Sequence, residues 1–208
     1  MPVRNDREYR SMMMDVRAAD NDNEQFIVEG YATTFDDVYT LYNSDRYQVD
    51  EQVDARAFDE CDMSDTIMQF DHCGRVFARV SNKTLVLTVD KRGLHVRADL
   101  GGTDIGRQLY QEIKGGYVSK MSFGYRVSED KREETYDHDH DKYTVLRTIT
   151  QIGKVFDVSA VSLPANDQTS ISARSFSDGL IAELTEEHRQ RDEARKKLAI
   201  RTKIYNWR

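Results

Sequence analysis

Apolar positions along this chain recur mostly with a period of two, the spacing of half-buried strands. Leu94, Val96, Ala98 and Leu100 alternate with His95, Arg97 and Asp99. The β-rich residues 84–89 precede them, and Asp90-Lys91-Arg92-Gly93 supplies a turn, so the two segments predict a hairpin. Met121, Phe123, Tyr125 and Val127 alternate with Ser122, Gly124 and Arg126 in the same way. Residues 26–32, 143–149 and 153–163 add further β-rich segments, the last stopped by Pro164. A first strand is expected near residues 12–17. Residues 36–50 read as a long polar loop carrying Tyr39, Tyr42 and Tyr47, and residues 129–142 as a charged loop.

The helical period appears in fewer places. After the Gly101-Gly102 break, Thr103 can cap a helix of about eleven residues in which Ile105, Leu109 and Ile113 recur every four positions. Gly115-Gly116 ends it. Asp54 predicts the cap of a short helix through Ala57, Phe58 and Cys61. Residues 178–205 contain no Pro, carry a weak apolar stripe of Leu180, Leu184 and Leu198, and have only basic charges from Arg195 onward. This predicts a C-terminal helical extension, either a solvated helix or a contact with a partner. The expected architecture is a β-rich α+β fold, an antiparallel β-barrel core with inserted helices. The expected division is an N-terminal extension (1–24), a core domain (25–175) and a charged helical extension (176–208).

Composition narrows the function classes. Of the 208 residues 38% are hydrophobic and 32% charged, enough for one core with the polar excess in tails and loops. The formal net charge of -7 argues against a general nucleic-acid binder. Cys61 and Cys73 form neither a disulfide framework nor a zinc signature and read as reduced thiols. No stretch approaches the ~20 apolar residues of a membrane span. No apolar run follows the charged residues 4–10, so no secretory signal is expected and the cytoplasm is the expected compartment.

Candidate chemistry centres on the histidines, because a serine nucleophile needs a base and a third group that fixes the imidazole. His95 shares the polar face of its strand, and His188 sits in the charged tail. His138 and His140 lie in a short Asp/His run without a second ligand cluster, so a solvated loop is the simpler reading and no metal site is expected. His72 ends the apolar-rich stretch 67–70, beside Gly74. A site position and a structural one are both open to it. Ser122 shares its strand face with the small Gly124, which would leave room beside a hydroxyl, yet on this pattern alone an ordinary strand serine is the simpler reading. Asp157 lies inside the apolar run Val155-Phe156-Asp157-Val158, where a carboxylate must be paired or face solvent.

Five blocks in order resemble the prohead proteases of tailed bacteriophages, a family of the HK97 type related to the herpesvirus assembly proteases. They are Gly30-Tyr31-Ala32; Asp54-Ala55-Arg56-Ala57-Phe58, similar to a Pro-Gly-Ala-Phe block; Phe70-Asp71-His72; Met121-Ser122-Phe123-Gly124-Tyr125; and residues 157–166, from Asp157 to Asn166. Together they span about residues 30–173. Cys73 stands where a polar residue is commoner, and Asp157 where Glu is common.

The resemblance implies a serine endopeptidase with Ser122 as nucleophile, His72 as base and Asp157 as its orienting acid. It implies oxyanion donors near Ala165 and Asn166, and no cofactor. The implied partners are the major capsid protein and a scaffold segment as substrates, together with the protease itself, inside proheads assembling in the bacterial cytoplasm. Self-association is open, since the herpesvirus relatives act as dimers, and no membrane or specific nucleic-acid partner is implied. A non-enzymatic scaffold protein of the same fold is the competing reading. A cysteine peptidase using Cys73 or Cys61, or a metal hydrolase at His138 and His140, stands further off.

Overall fold

The computed structural model describes residues 7–15, 17–18, 26–162 and 171–205. The clearest sequence patterns produce the elements they predict. Strands β8 (Leu85–Val89) and β9 (Gly93–Asp99) form the hairpin, with Leu85 opposite Ala98 and Val89 opposite Leu94. Helix α1 (Asp104–Lys114) starts at Thr103, whose hydroxyl accepts the Gly106 N–H at 3.1 Å. Its apolar stripe, Leu109 and Ile113, is buried in the main core. The expected first strand begins earlier, as β1 (Glu8–Asp15), and is followed by the short β2 (Arg17–Ala18).

Other segments correct the sequence reading. Residues 36–50 hold two strands, β4 (Tyr39–Asn43) and most of β5 (Tyr47–Val53), paired antiparallel. Their tyrosines are strand formers whose hydroxyls made the segment look like a loop. The helix expected after Asp54 is a series of tight turns, closed by bonds such as Cys61 N–H to Phe58 C=O at 3.1 Å. Most of residues 129–142 is strand, with only 138–141 left as a turn. Strand β10 (Lys120–Asp137) runs through them and pairs with β11 (Lys142–Val161), one strand where two were expected. The β10 arm of this long hairpin is exposed beyond Val127, so alternation with an apolar face disappears there while backbone pairing persists.

The remaining strands are β3 (Ile27–Thr34), β6 (Ile67–Phe70) and β7 (Cys73–Arg79). Among the described residues, two sheets form. One is ordered β1-β10-β11-β5-β4, with β6 and β7 continuing from the far end of β11; the other is β2-β3-β9-β8. The pairing does not close into a barrel, and it is not purely antiparallel. Both β5 and β6 lie parallel to β11, at opposite ends of that strand. Local periodicity carries no information on the direction of a distant partner, which is why this escaped the sequence. The β-rich core with α1 and a C-terminal helix stands as expected.

The main core fills the space between the sheets. Val28, Ala32, Leu94 and Val96 from one side meet Met121, Phe123, Tyr125, Val155 and Val158 from the other. Phe123 and Tyr125 stack with ring centroids 4.2 Å apart. A smaller cluster binds the C-terminal helix α2 (Ile171–Tyr205) to the first sheet, where Leu180 and Leu184 cover Leu41, Val49 and Val145. His188 stacks on Tyr143 and sits 3.0 Å from Glu134.

A buried ion network spans the first sheet. Glu51 receives Arg10 at 2.6 and 3.0 Å, Arg147 at 2.7 Å and the Tyr39 hydroxyl at 2.5 Å, and Arg147 also binds Asp130 and Glu8. Burial pushes the Glu51 carboxyl up, but the two guanidiniums outweigh it and hold it well below the usual carboxylate range. Glu51→Ala would leave two arginines without their central anion. A loss of about 3–5 kcal/mol is expected, read as a lower urea midpoint at unchanged m-value.

Candidate active site

Three neighbouring strand positions converge. Ser122 on β10 is the cross-strand partner of Ser159 on β11, and Gly124 is the partner of Asp157. On the other side of β11, Asp157 aligns with Ile67 and Ala160 with Phe70 of β6. Partners directly opposite share a face of the sheet. The three strands therefore deliver Ser122, Asp157 and the turn after Phe70 to one place.

His72 arrives there through an unusual turn. Phe70 pairs with Cys73, leaving Asp71 and His72 as the two central residues of the β6–β7 hairpin. Both have positive φ, +48° and +56°. A two-residue loop with both φ positive is the type I′ turn, which Asn-Gly normally fills. Two side chains with Cβ atoms are strained there, so the surroundings must hold them. Asp71 does so. Its carboxylate accepts the Ser162 N–H at 2.9 Å and the Ser162 hydroxyl at 2.8 Å, and its own N–H donates to the Ala160 carbonyl at 3.0 Å. The turn is thus fastened to the end of β11.

The result is a continuous chain of polar contacts. Ser122 Oγ lies 2.5 Å from His72 Nε2, and His72 Nδ1 contacts Asp157 Oδ2. Asp157 is fully buried, and Ser159 Oγ–H donates to its Oδ2 at 2.9 Å while Arg7 binds Oδ1. With Nδ1–H donated to the carboxylate, neutral His72 presents a bare Nε2 to the serine. This geometry can remove a proton from Ser122 as the oxygen attacks and hold the imidazolium that results. Asp157 is shorter than a glutamate would be, and it does reach the imidazole directly.

The structure thus brings together Ser122, His72 and Asp157, three of the five sequence candidates. Ala165 and Asn166 lie outside the described residues. The room left by Gly124 serves a different purpose from the one expected. A Cβ there would fall inside contact distance of Asp157 Oδ1 and lie 2.9 Å from Arg7 Nε and from Tyr9 Cε1. The glycine makes space for the carboxylate, not the hydroxyl. Sequence reading also missed Arg7, Asp71 and Ser159. Ser159 could have been found, since it lies two residues from Asp157 and so shares its strand face. Nothing local marks Arg7.

Burial is the largest influence on His72, and the Arg7 cation beside it is the second; together they lower its pKa to about 4, against the opposing pull of Asp71. Arg7 also offsets the charge of Asp157, so the imidazole meets a nearly neutral pair. The cysteines behave otherwise. Burial pushes the Cys61 thiol up to about 12, which removes the thiolate that a cysteine peptidase needs. Cys73 is exposed, with its Sγ turned to the Phe70 carbonyl at 3.7 Å. His138 and His140 sit in the exposed turn between β10 and β11, where His140 Nδ1 pairs with Asp137 at 2.7 Å.

A sequence model of the family described as caudovirus prohead serine protease matches residues 12–180. The chain belongs to this family. Its members are the serine proteases of phage prohead maturation, and the match covers every strand from β2 to β11. No curated protein and no solved structure matches the chain.

Two outcomes follow for this prohead protease. Gly124→Ala should drive the Asp157 carboxylate away from His72, costing about 1–3 kcal/mol of stability by overpacking and, in a peptide-cleavage assay, activity far beyond that loss. Second, NMR titration of the His72 ring should give a pKa well below the ordinary 6.5. The folded protein then binds its proton less readily than the unfolded chain. Its contribution to stability is therefore present above pH 6.5 and lost as pH falls through about 4.

Proposed function

We propose that this chain is a serine endopeptidase of the Ser-His-Asp type that trims capsid or scaffold protein, and itself, during prohead maturation. Ser122 attacks the scissile carbonyl. His72 accepts the hydroxyl proton and returns it to the leaving amine. Asp157 fixes the imidazole and stabilises its charged form. The observation that carries this reading is the unbroken contact chain Ser122–His72–Asp157 on three adjacent strands, within a chain of a serine protease family. Backbone N–H groups near Ala165 and Asn166 are the proposed oxyanion donors; Pro164 cannot supply one.

The same reading includes a core of residues 25–175 flanked by the extensions, and a kinship with the barrel-like herpesvirus assembly proteases. In support, the chain passes from the edge of one sheet in β1 to the edge of the other in β2. The site of action is the interior of assembling proheads in the bacterial cytoplasm. No described helix is long and apolar enough to cross a membrane.

The test is co-expression with the major capsid protein of the same phage, followed by intact mass of both chains. Wild type should shorten the capsid protein. Ser122→Ala should abolish this, since losing a triad serine costs on the order of 10⁴–10⁶ in rate. Full-length capsid protein in both cases, in shells that still assemble, would instead favour a scaffold role.

A further inference from the structure

Ser122 is completely buried, an arrangement no external substrate can use. Strand β1 covers it. Tyr9 sets its ring against His72, with centroids 4.5 Å apart, and Arg7 binds Asp157. The Arg10 carbonyl oxygen accepts from Ser122 Oγ at 2.9 Å. The hydroxyl has one proton and two acceptors, Arg10 C=O and His72 Nε2, so the carbonyl competes directly with the base.

The position of β1 is the one a peptide substrate would need. It lies antiparallel on the edge of β10, with Glu8, Tyr9 and Arg10 opposite Tyr125, Gly124 and Phe123. Strand addition to a sheet edge is a general mode of peptide capture. A carbonyl carbon lies about 1.2 Å from its oxygen, so the Arg10 carbon stands within about 4 Å of the nucleophile, a short movement from the ~3–3.5 Å of a near-attack arrangement. The peptide bond presented to it is Arg10–Ser11.

The Arg10 side chain fills a charged pocket. It is 3% exposed and forms its main contacts with Glu51. If the segment before Ser11 leaves, Glu8 and Arg10 go together, and Glu51, Asp130 and Arg147 remain. Arg132 lies 4.0 Å from Asp130 and 3.7 Å from Glu183, so three anions face two cations, and a basic side chain would balance the one negative charge left over. The fit of β1 is also imperfect. Tyr125 Oη, in the same pocket, and Arg7 Nε are buried without a hydrogen-bond partner in this structure, as suits an occupant that is displaced.

We propose that β1 occupies the substrate groove, that this groove selects a basic residue before the scissile bond through Glu51, and that Arg10–Ser11 is the first bond cut. The proposal rests on the triad reading above. Ser122 Oγ bonds to the Arg10 carbonyl carbon while the C–N bond to Ser11 breaks, and His72 carries the serine proton to the new Ser11 amine. Water then hydrolyses the ester, releasing a segment that ends in an Arg10 carboxylate and restoring Ser122. The edge of β10 from Phe123 to Tyr125, which Glu8, Tyr9 and Arg10 had covered, is then open to other chains.

The experiment uses the full chain, wild type and Ser122→Ala, followed by intact mass and N-terminal sequencing, with a fluorophosphonate probe for Ser122 in parallel. Wild type should acquire a new end at Ser11, and probe labelling should rise in step with it; Ser122→Ala should stay whole. A synthetic peptide of residues 6–15 should be cut after Arg10, and its Arg10→Glu analogue about a hundredfold more slowly. New ends elsewhere, full labelling of the uncut chain, or equal cleavage of the two peptides would overturn the proposal. Capsid protein trimmed without an Arg10–Ser11 cut would overturn it and leave the protease reading intact. Absence of trimming, self-cleavage and labelling together would remove both.

Discussion

The site depends on keeping one carboxylate charged where no water reaches it. Asp157 is fully buried, and an unpaired charge there would cost far more than a folded domain can spare. Each neighbour answers that constraint. Ser159 and His72 satisfy Oδ2, and Arg7 faces Oδ1. Gly124 has no side chain because the carboxylate occupies the space one would need. The orientation of His72, and through it the state of Ser122, follows from the solution to this single problem.

Strain and tether complete the arrangement. A base placed on a flexible loop would sample many orientations, and misplacement by about 1 Å is costly in rate. Here the base sits in a turn whose left-handed backbone two non-glycine residues would not choose alone. Asp71 offsets that preference with three bonds to the end of β11, the strand that also carries Asp157. The base's turn is therefore fastened to the strand that carries the acid, so their separation is insulated from motion elsewhere in the sheet.

Much of this was legible in the sequence, for a physical reason. The β8–β9 hairpin and α1 are local, with partners close in sequence and turn or cap residues between them, so periodicity and punctuation suffice. The three residues that meet at the site were legible as ordered blocks, though their chemistry was ambiguous one by one. What failed was non-local. The parallel partners of β11 lie about ninety residues away in sequence, or more. The exposed far half of β10 keeps strand pairing without an apolar face. The use of Gly124 by Asp157 is a cross-strand relation that register alone reveals.

Alternation along β1 ties two distant-looking features together. Successive side chains of a strand face opposite ways. Arg7 and Tyr9 therefore meet the Ser122–His72–Asp157 face, while Glu8 and Arg10 turn to the Glu51–Arg147 network on the other. A single strand both covers the nucleophile and neutralises a buried charge cluster. Departure of β1 would remove Arg7 from Asp157, leaving the full carboxylate charge to His72 and exposing the imidazole to water. Both changes raise the affinity of His72 for a proton, from the depressed value of the covered state toward that of a working base. The covering strand thus blocks access to the serine and also weakens the base beside it, and both effects would end together.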